Sequence, residues 1–326
     1  MHRIAVTDGL AEEAISHMKS KGYVVDEISF SKEQLNNGAL SNYDAVIIRS
    51  ATKLDKLAIE SNSGGKLKVI CRAGVGVDNI DINVATSNNI MVLNAPTSTT
   101  KSVAELTIGH LLSCTRFISK GDRLMRKGIW AKKDLRGSEL SGKNLGLIGF
   151  GRIARNVSLL GNAFGMSIHA YDPYLPDELF GNATKHESLE SLFSNCTHIS
   201  VHCNLTSQTK NLIGKKLIDL MPLKGADGSN CGNYLVSLSR GGIVNESEIY
   251  QCLNSGKLKG VGLDVFETEP VIKNDLLNCD NFVATPHIAA STVEAQIRVG
   301  MESVSQIIMA LDGEIPTNLL NKDLLN

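Results

Sequence analysis

The sequence predicts an α/β protein of two Rossmann-like or flavodoxin-like, doubly wound parallel-sheet domains separated by a cleft. Three observations predict it. Short apolar runs alternate with amphipathic stretches along most of the chain, the pattern of βα units that assemble a parallel sheet. The 326 residues exceed the size at which a single core usually stops growing. Finally, Gly149-Phe150-Gly151-Arg152-Ile153-Ala154 follows the apolar run Leu145-Gly146-Leu147-Ile148, so a glycine turn stands between a strand and a helix.

Taken in order, strands are expected over 4–6, 23–25, 45–48, 67–70 and 90–93, with helices over 10–21 and 54–60 between them. The first helix carries Ala11, Ala14, Ile15 and Met18 at helical spacing. The turn-rich stretch 94–100 reads as a hinge, after which 102–118 forms a long, mostly apolar helix. A second alternating set follows, with strands over 145–148, 166–171, 197–201, 234–238, 260–265 and 281–284, and helices over 153–163, 189–193 and 246–253. A last helix over 291–311, beyond a second hinge, is expected to return to the first domain. The division is therefore 1–98 plus 288–326 as a discontinuous substrate-binding domain and 99–287 as a dinucleotide-binding domain. The polar, glycine-rich segment 224–233 reads as a mobile surface loop.

The glycine turn carries a chemical expectation. Gly149 and Gly151 permit a tight turn and close backbone approach to a pyrophosphate, whose charge would meet the helix N-terminus at Arg152 and Ile153. Such a turn can also be an ordinary strand-to-helix connection, but Asp172 closes the next apolar run eighteen residues beyond Ala154. That is where an acid that binds ribose hydroxyls belongs. A carboxylate accepts from the 2′-hydroxyl of NAD and repels the 2′-phosphate of NADP, and Pro173-Tyr174-Leu175 adds no cation to reverse that. NAD is the expected cofactor.

Composition narrows the partners. A net charge of −1 provides no basic field for nucleic acid or an anionic membrane surface, and no apolar run is long enough to span a bilayer. Met1 to Val6 enter a strand pattern without a signal-peptide core, so a cytoplasmic protein with a small-molecule partner is expected. The seven cysteines, Cys71, Cys114, Cys196, Cys203, Cys231, Cys252 and Cys279, show neither CxxC pairing nor zinc-ligand spacing; they read as reduced, and no metal is expected.

Three polar residues fall just after strands of the second domain, where ligands gather in open α/β sheets. Arg240, before Gly241-Gly242, offers a planar fork to a substrate carboxylate and can polarise a neighbouring carbonyl. A histidine suits taking a hydroxyl proton and returning it, and His287, after Thr285-Pro286, is the candidate. Glu269 can hydrogen-bond the imidazole, orient it and favour its protonated form. His110, His169, His198 and His202 sit in apolar contexts and read as structural; His2, His17 and His186 read as surface residues.

Several strings together carry a resemblance. Arg72-Ala73-Gly74-Val75-Gly76-Val77-Asp78-Asn79-Ile80, Val103-Ala104-Glu105-Leu106, the glycine turn, Ser239-Arg240-Gly241-Gly242, Leu263-Asp264-Val265-Phe266 and Thr285-Pro286-His287-Ile288 resemble the D-isomer-specific 2-hydroxyacid dehydrogenases, in the right order over nearly the whole chain. Arg49-Ser50-Ala51-Thr52-Lys53 and Gly128-Ile129-Trp130-Ala131-Lys132-Lys133 are most similar to the D-3-phosphoglycerate dehydrogenase branch. The resemblance implies Arg240 as substrate clamp, His287 as proton donor and acceptor, and Glu269 as its partner. It implies backbone N–H groups of Val75 and Gly76 on the substrate carboxylate, and Arg49 and Ser50 on a 3-phosphate. It also implies Asp264 on the nicotinamide carboxamide and Cys203 beside the adenine. For Asp264, a strand-end acid capping nearby N–H groups is the other reading.

The implied reaction is NAD-dependent interconversion of a D-2-hydroxyacid and its 2-oxoacid, with 3-phosphoglycerate and 3-phosphohydroxypyruvate, the serine-biosynthesis pair, ranked first because Arg49 supplies a cation for a dianion. Hydroxypyruvate, glyoxylate, lactate-like and sulfonated acids are the alternatives, and an NAD(H)-sensing binding protein is the non-enzymatic one. A homodimer is implied. Ala154, Ser239, Asn204, Thr97-Ser98-Thr99 and Ala289-Ala290 depart from the family's usual residues without removing a catalytic group. The chain stops soon after Pro316-Thr317-Asn318, so a serine-sensing regulatory domain is not expected.

Overall fold

The computed structural model describes residues 1–325. The chain forms two compact units, one made of Met1–Thr99 together with the segment from Ala290 onward, the other of Thr100–Ala289.

The first unit runs β1 (Arg3–Val6), α1 (Glu12–Ser20), β2 (Val24–Glu27), α2 (Lys32–Asn36), β3 (Ala45–Ile48), α3 (Lys56–Ser63), β4 (Val69–Arg72), α4 (Ile82–Ser87) and β5 (Met91–Asn94). Its five strands are parallel in the order β2-β1-β3-β4-β5, a flavodoxin-like winding whose direction reverses between β1 and β3. The central strands β3 and β4 are apolar on both faces because helices cover both. On one side Ala14, Ile15 and Met18 of α1 pack with Val299, Val304 and Ile307, which come from the last helix of the chain. On the other, Ala58 and Ile59 of α3 close over Val46, Ile48 and Ile70. Two helices the apolar pattern did not reveal, α2 and α4, are short and start on side-chain caps. Ser31 and Gln34 form a reciprocal capping box on α2. Asp81 accepts from Val84 N–H at 3.1 Å at the start of α4.

The second unit begins with α5 (Thr100–Arg116) and α6 (Ile118–Arg126). The helix expected over 102–118 is α5; Phe117 takes a left-handed conformation, φ 55°, which ends α5 and separates it from α6, a helix not expected from the sequence. Then follow β6 (Asn144–Ile148), α7 (Arg152–Ala163), β7 (Ser167–Tyr171), β8 (Thr184–Lys185), α8 (Leu189–Asn195), β9 (His198–Val201), α9 (Lys215–Ile218), β10 (Tyr234–Ser237), α10 (Glu246–Asn254), β11 (Gly260–Leu263) and β12 (Phe282–Ala284). The seven parallel strands lie in the order β12-β11-β10-β9-β6-β7-β8, the doubly wound dinucleotide-binding arrangement with its switch point between β6 and β9. The last helix, α11 (Val293–Leu311), belongs to the first unit, where Thr292 caps its start through Ala295 N–H at 3.1 Å.

The segment 224–233 lies largely on the surface, as expected, and is tied to the rest of the unit at a few points. Lys143, with 4% of its side chain exposed, holds Asp227 at 2.7 Å, Asp227 also accepts from Ser229 N–H and O–H, and Cys231 and Asn233 are buried. Part of its polar composition is used in bonds within the segment and to the 140–143 turn, through Asp227, Ser229 and Gly225.

Candidate active site

Six strand ends of the second unit stand on one row. Tyr171 pairs with Ile148, Ile148 with Val201, Val201 with Ser237, Ser237 with Leu263 and Leu263 with Ala284. One to three residues past that row come Asp172, Gly149, Cys203, Arg240, Asp264 and His287. Register alone therefore brings to one edge of the sheet residues that lie as much as 138 positions apart in sequence.

The β6–α7 turn fits a dinucleotide. Gly149 has φ 77°, and a Cβ there would lie 2.8 Å from the Cys203 backbone nitrogen, so only glycine is accommodated. At Gly151 a Cβ would meet nothing within 4 Å, which leaves space beside the helix N-terminus for a phosphate. The first bond of α7 runs from Arg155 N–H to the Gly151 carbonyl at 3.0 Å, so the N–H groups of Arg152 and Ile153 have no partner within the helix. Asp172 accepts from Phe150 N–H at 2.9 Å and from Tyr174 N–H at 3.0 Å. One bond goes to each oxygen, so both keep lone pairs for ribose hydroxyls. Cys203 adjoins the turn; burial pushes its thiol up to about 11, so at neutral pH it is an uncharged lining group.

Glu269 and His287 meet directly, Oε2 to Nδ1 at 2.7 Å. A carboxylate only accepts, so Nδ1 carries the proton and Nε2 is left to exchange one with a ligand. The other Glu269 oxygen accepts from Phe266 N–H at 2.9 Å. Burial pushes the Glu269 carboxyl up, but the His287 bond, the Phe266 N–H and the charges of His287 and Arg240 outweigh it and hold the group below the usual carboxylate range. His287 has φ 53°, an uncommon conformation for a residue with a side chain and one that recurs at functional sites. Arg240 donates to the Ser239 carbonyl at 2.7 Å. At Gly241 any Cβ would overlap the Phe266 carbonyl, so the chain after Arg240 packs directly on the backbone that leads to Glu269.

In the first unit the expected substrate residues follow β3 and β4. Asp8 accepts from Arg49 N–H at 2.6 Å, Thr52 N–H at 3.0 Å and the Thr52 hydroxyl at 2.6 Å, while Asn79 donates to the Arg49 and Thr52 carbonyls at 2.7 and 2.6 Å. Arg49 is half-buried and Ser50 exposed on the loop so fixed. The N–H groups of Val75 and Gly76 have no partner among the described residues. Arg72 was not singled out from the sequence. Its Nη2 lies 3.0 Å from the Ser50 hydroxyl, which sets a second guanidinium beside the Arg49 loop. The available signal was its place at the end of β4, next to the glycine-rich string.

One expectation needs correction. His186 is not on the surface; it is 8% exposed and bridges His169 Nδ1 at 2.8 Å and the Ser191 hydroxyl at 2.7 Å. Asp264 is fully buried. Its Oδ1 accepts from the Thr285 hydroxyl at 2.5 Å and Ile288 N–H at 2.9 Å, and its Oδ2 from Ala289 N–H at 2.9 Å. These bonds anchor the turn that carries His287. His198 and His202 are buried, and desolvation pushes each down to about 3, which keeps both neutral. Among the described residues no group of three or more His, Cys, Asp or Glu is placed to hold a metal ion, and no helix is long and apolar enough to cross a membrane.

Comparison with known proteins gives concordant results. The family profile described as "D-isomer specific 2-hydroxyacid dehydrogenase, NAD binding domain" matches residues 108–289. A D-3-phosphoglycerate dehydrogenase of Methanocaldococcus jannaschii is 41% identical over 98% of this chain, which spans 60% of that protein's length. A hydroxypyruvate reductase of Thermotoga maritima is 41% identical over 95% of this chain and 98% of its own. Among solved structures, an NAD+-bound 3-phosphoglycerate dehydrogenase of Entamoeba histolytica superposes with a TM-score of 0.80 at 30% identity, covering 98% of this chain and 99% of its own.

Proposed function

The chain belongs to the D-isomer-specific 2-hydroxyacid dehydrogenases with NAD as cofactor, and from that premise we propose that it interconverts 3-phosphoglycerate and 3-phosphohydroxypyruvate. The observation that carries the choice of substrate is the pairing of Arg72 with Ser50 beside the Arg49 loop. A phosphorylated hydroxyacid bears a carboxylate and a phosphate dianion, and two guanidinium groups neutralise the latter better than one.

NAD, when bound, supplies the nicotinamide carbon that accepts or returns a hydride. The chain's own groups do the rest. Gly149, Gly151 and the N–H groups of Arg152 and Ile153 hold the pyrophosphate, and Asp172 the adenosine ribose. Arg49, Ser50 and Arg72 take the phosphate, while the Val75 and Gly76 N–H groups take the carboxylate. Arg240 offers its guanidinium to a substrate carboxylate and stabilises charge on the adjacent oxygen. His287 Nε2 takes the hydroxyl proton in oxidation and returns it in reduction, and Glu269, held ionised, stabilises the imidazolium in between. The protein works as a homodimer in this reading.

A second substrate reading, hydroxypyruvate, is favoured by the end-to-end match to the Thermotoga protein. The two separate in one experiment. Purified protein with NADH and a panel of 2-oxoacids is followed at the NADH absorbance, with wild type beside Arg49→Ala. Phosphohydroxypyruvate is expected to give the highest kcat/KM, and Arg49→Ala to lower it about tenfold or more while leaving hydroxypyruvate within about twofold. Equal losses on both acids would transfer the assignment to the unphosphorylated substrate. A flat signal with every acid, despite NADH binding, would leave a sensor instead of an enzyme.

A further inference from the structure

His110 lies on α5 and is 2% exposed. Its Nε2 is 2.9 Å from the Thr285 hydroxyl, and its Nδ1 is buried with no hydrogen-bond partner among the described residues. The Thr285 hydroxyl in turn donates to Asp264 Oδ1 at 2.5 Å. A hydroxyl has a single proton, so once Asp264 takes it the Thr285 oxygen can only accept from His110. The ring is therefore in the Nε2–H form and Nδ1 carries no proton. Burial disfavours the imidazolium and outweighs the opposing charge of Asp264, which keeps the ring neutral. The backbone allows for the ring as well: a Cβ at Gly262 on β11 would lie 2.7 Å from His110 Nδ1.

Asp264 spends all these bonds on one turn. Its side chain holds Thr285 O–H, Ile288 N–H and Ala289 N–H, and its carbonyl accepts His287 N–H at 2.9 Å. Every residue from 285 to 289 except Pro286, which has no N–H to give, is thus fixed to Asp264, and His287 keeps its φ of 53° in the middle. The His110 bond removes the remaining freedom, the rotation of the Thr285 hydroxyl.

We propose that His110 is a positioning residue which, through Thr285 and Asp264, sets the turn that presents the His287 imidazole. It never touches substrate. The proposal rests on the reading of His287 as the proton donor and acceptor.

The test combines three variants with a measurement independent of turnover. His110→Leu removes the donor and is expected to lower kcat about tenfold, with KM and NADH affinity within about twofold, because misplacing an acid/base group costs the chemical step more than binding. His110→Gln places an amide N–H near the former Nε2 and is expected to restore kcat to within about threefold. Thr285→Val is expected to match His110→Leu, and the double variant to be no worse than either, as for groups that act as one unit. A wild-type kcat in His110→Leu, or a Gln variant as slow as the Leu variant, would overturn the proposal, the latter by showing that only packing matters. Nitrogen NMR of the histidine-labelled wild type reads the tautomer directly; an Nδ1–H ring at His110 would also overturn it. If wild type turns over no 2-oxoacid, yet His110 is Nε2–H and Thr285→Val moves the His287 ring signals, the functional reading falls and the relay stands.

Discussion

At His287 a single proton site is made available by what occupies its neighbour. Glu269 accepts a hydrogen bond from Nδ1–H at 2.7 Å, which leaves Nε2 as the ring atom able to exchange a proton. The acid can do so at neutral pH because the His287 bond and the Phe266 N–H overcome the cost of its burial. Removing the imidazole should therefore harm the chemical step and little else: His287→Ala is expected to lower kcat by about a hundredfold or more while NADH affinity stays within about twofold. Steady-state kinetics beside NADH fluorescence titration measures both, and an unchanged kcat would exclude the role. Arg240, Glu269 and His287 were singled out from the sequence because each lies beyond an apolar run, and strand ends are where a parallel sheet collects its chemistry; of the three, the structure pairs Glu269 with His287. Arg72 was missed because its importance lies in the side chain it meets, Ser50, twenty-two positions away, and nothing in residue spacing reports such a meeting.

Strands and long helices were read within a few residues, since their apolar periodicity is set by burial on the sheet. The elements missed are short, among them α6 and α9, and several have a cause that is local and polar. Both α2 and α4 depend on a cap more than on an apolar stripe, and β8 has only two residues. The segment 224–233 shows the same lesson in reverse: glycine, aspartate and serine suggested mobility, but Lys143, eighty-four residues before Asp227 and in β6's approach, supplies a partner for that carboxylate. Its hydrogen bonds to Lys143 and Ser229 hold Asp227 down to about 2. A carboxyl so depressed stabilises the folded state above its unfolded value, near 4, and loses that contribution as pH falls through about 2. Asp227→Asn is thus expected to melt about a degree lower than wild type at pH 7, with the gap closing between about pH 4 and pH 2. Melting curves across that range decide it; a gap unchanged down to pH 3 would mean that the anchor acts by shape rather than by charge.

For the molecule as a whole, each unit keeps its candidate residues at the C-terminal ends of its own parallel sheet, and the chain passes between the units twice, at 99/100 and at 289/290. The turn carrying His287 ends where the second passage begins. What neither core accounts for is α6. It buries no side chain, and Ile118, Met125 and Trp130 on it and just beyond are 57%, 55% and 76% exposed. A helix of nine residues has too few hydrogen bonds to persist on propensity alone, and an apolar surface of this kind is a liability unless something covers it. A second copy of the chain is the proposed cover, continuous with the Gly128-Ile129-Trp130 string that resembles the phosphoglycerate branch. Wild type is then expected to sediment at twice the mass of one chain. Trp130→Glu, which puts a charge into the centre of the covered patch, is expected to shift the protein toward the single-chain mass at micromolar concentration, with its far-ultraviolet spectrum unchanged. A monomeric wild type, or a Trp130→Glu variant that keeps the doubled mass, would remove α6 from the interface and return its exposed face to solvent.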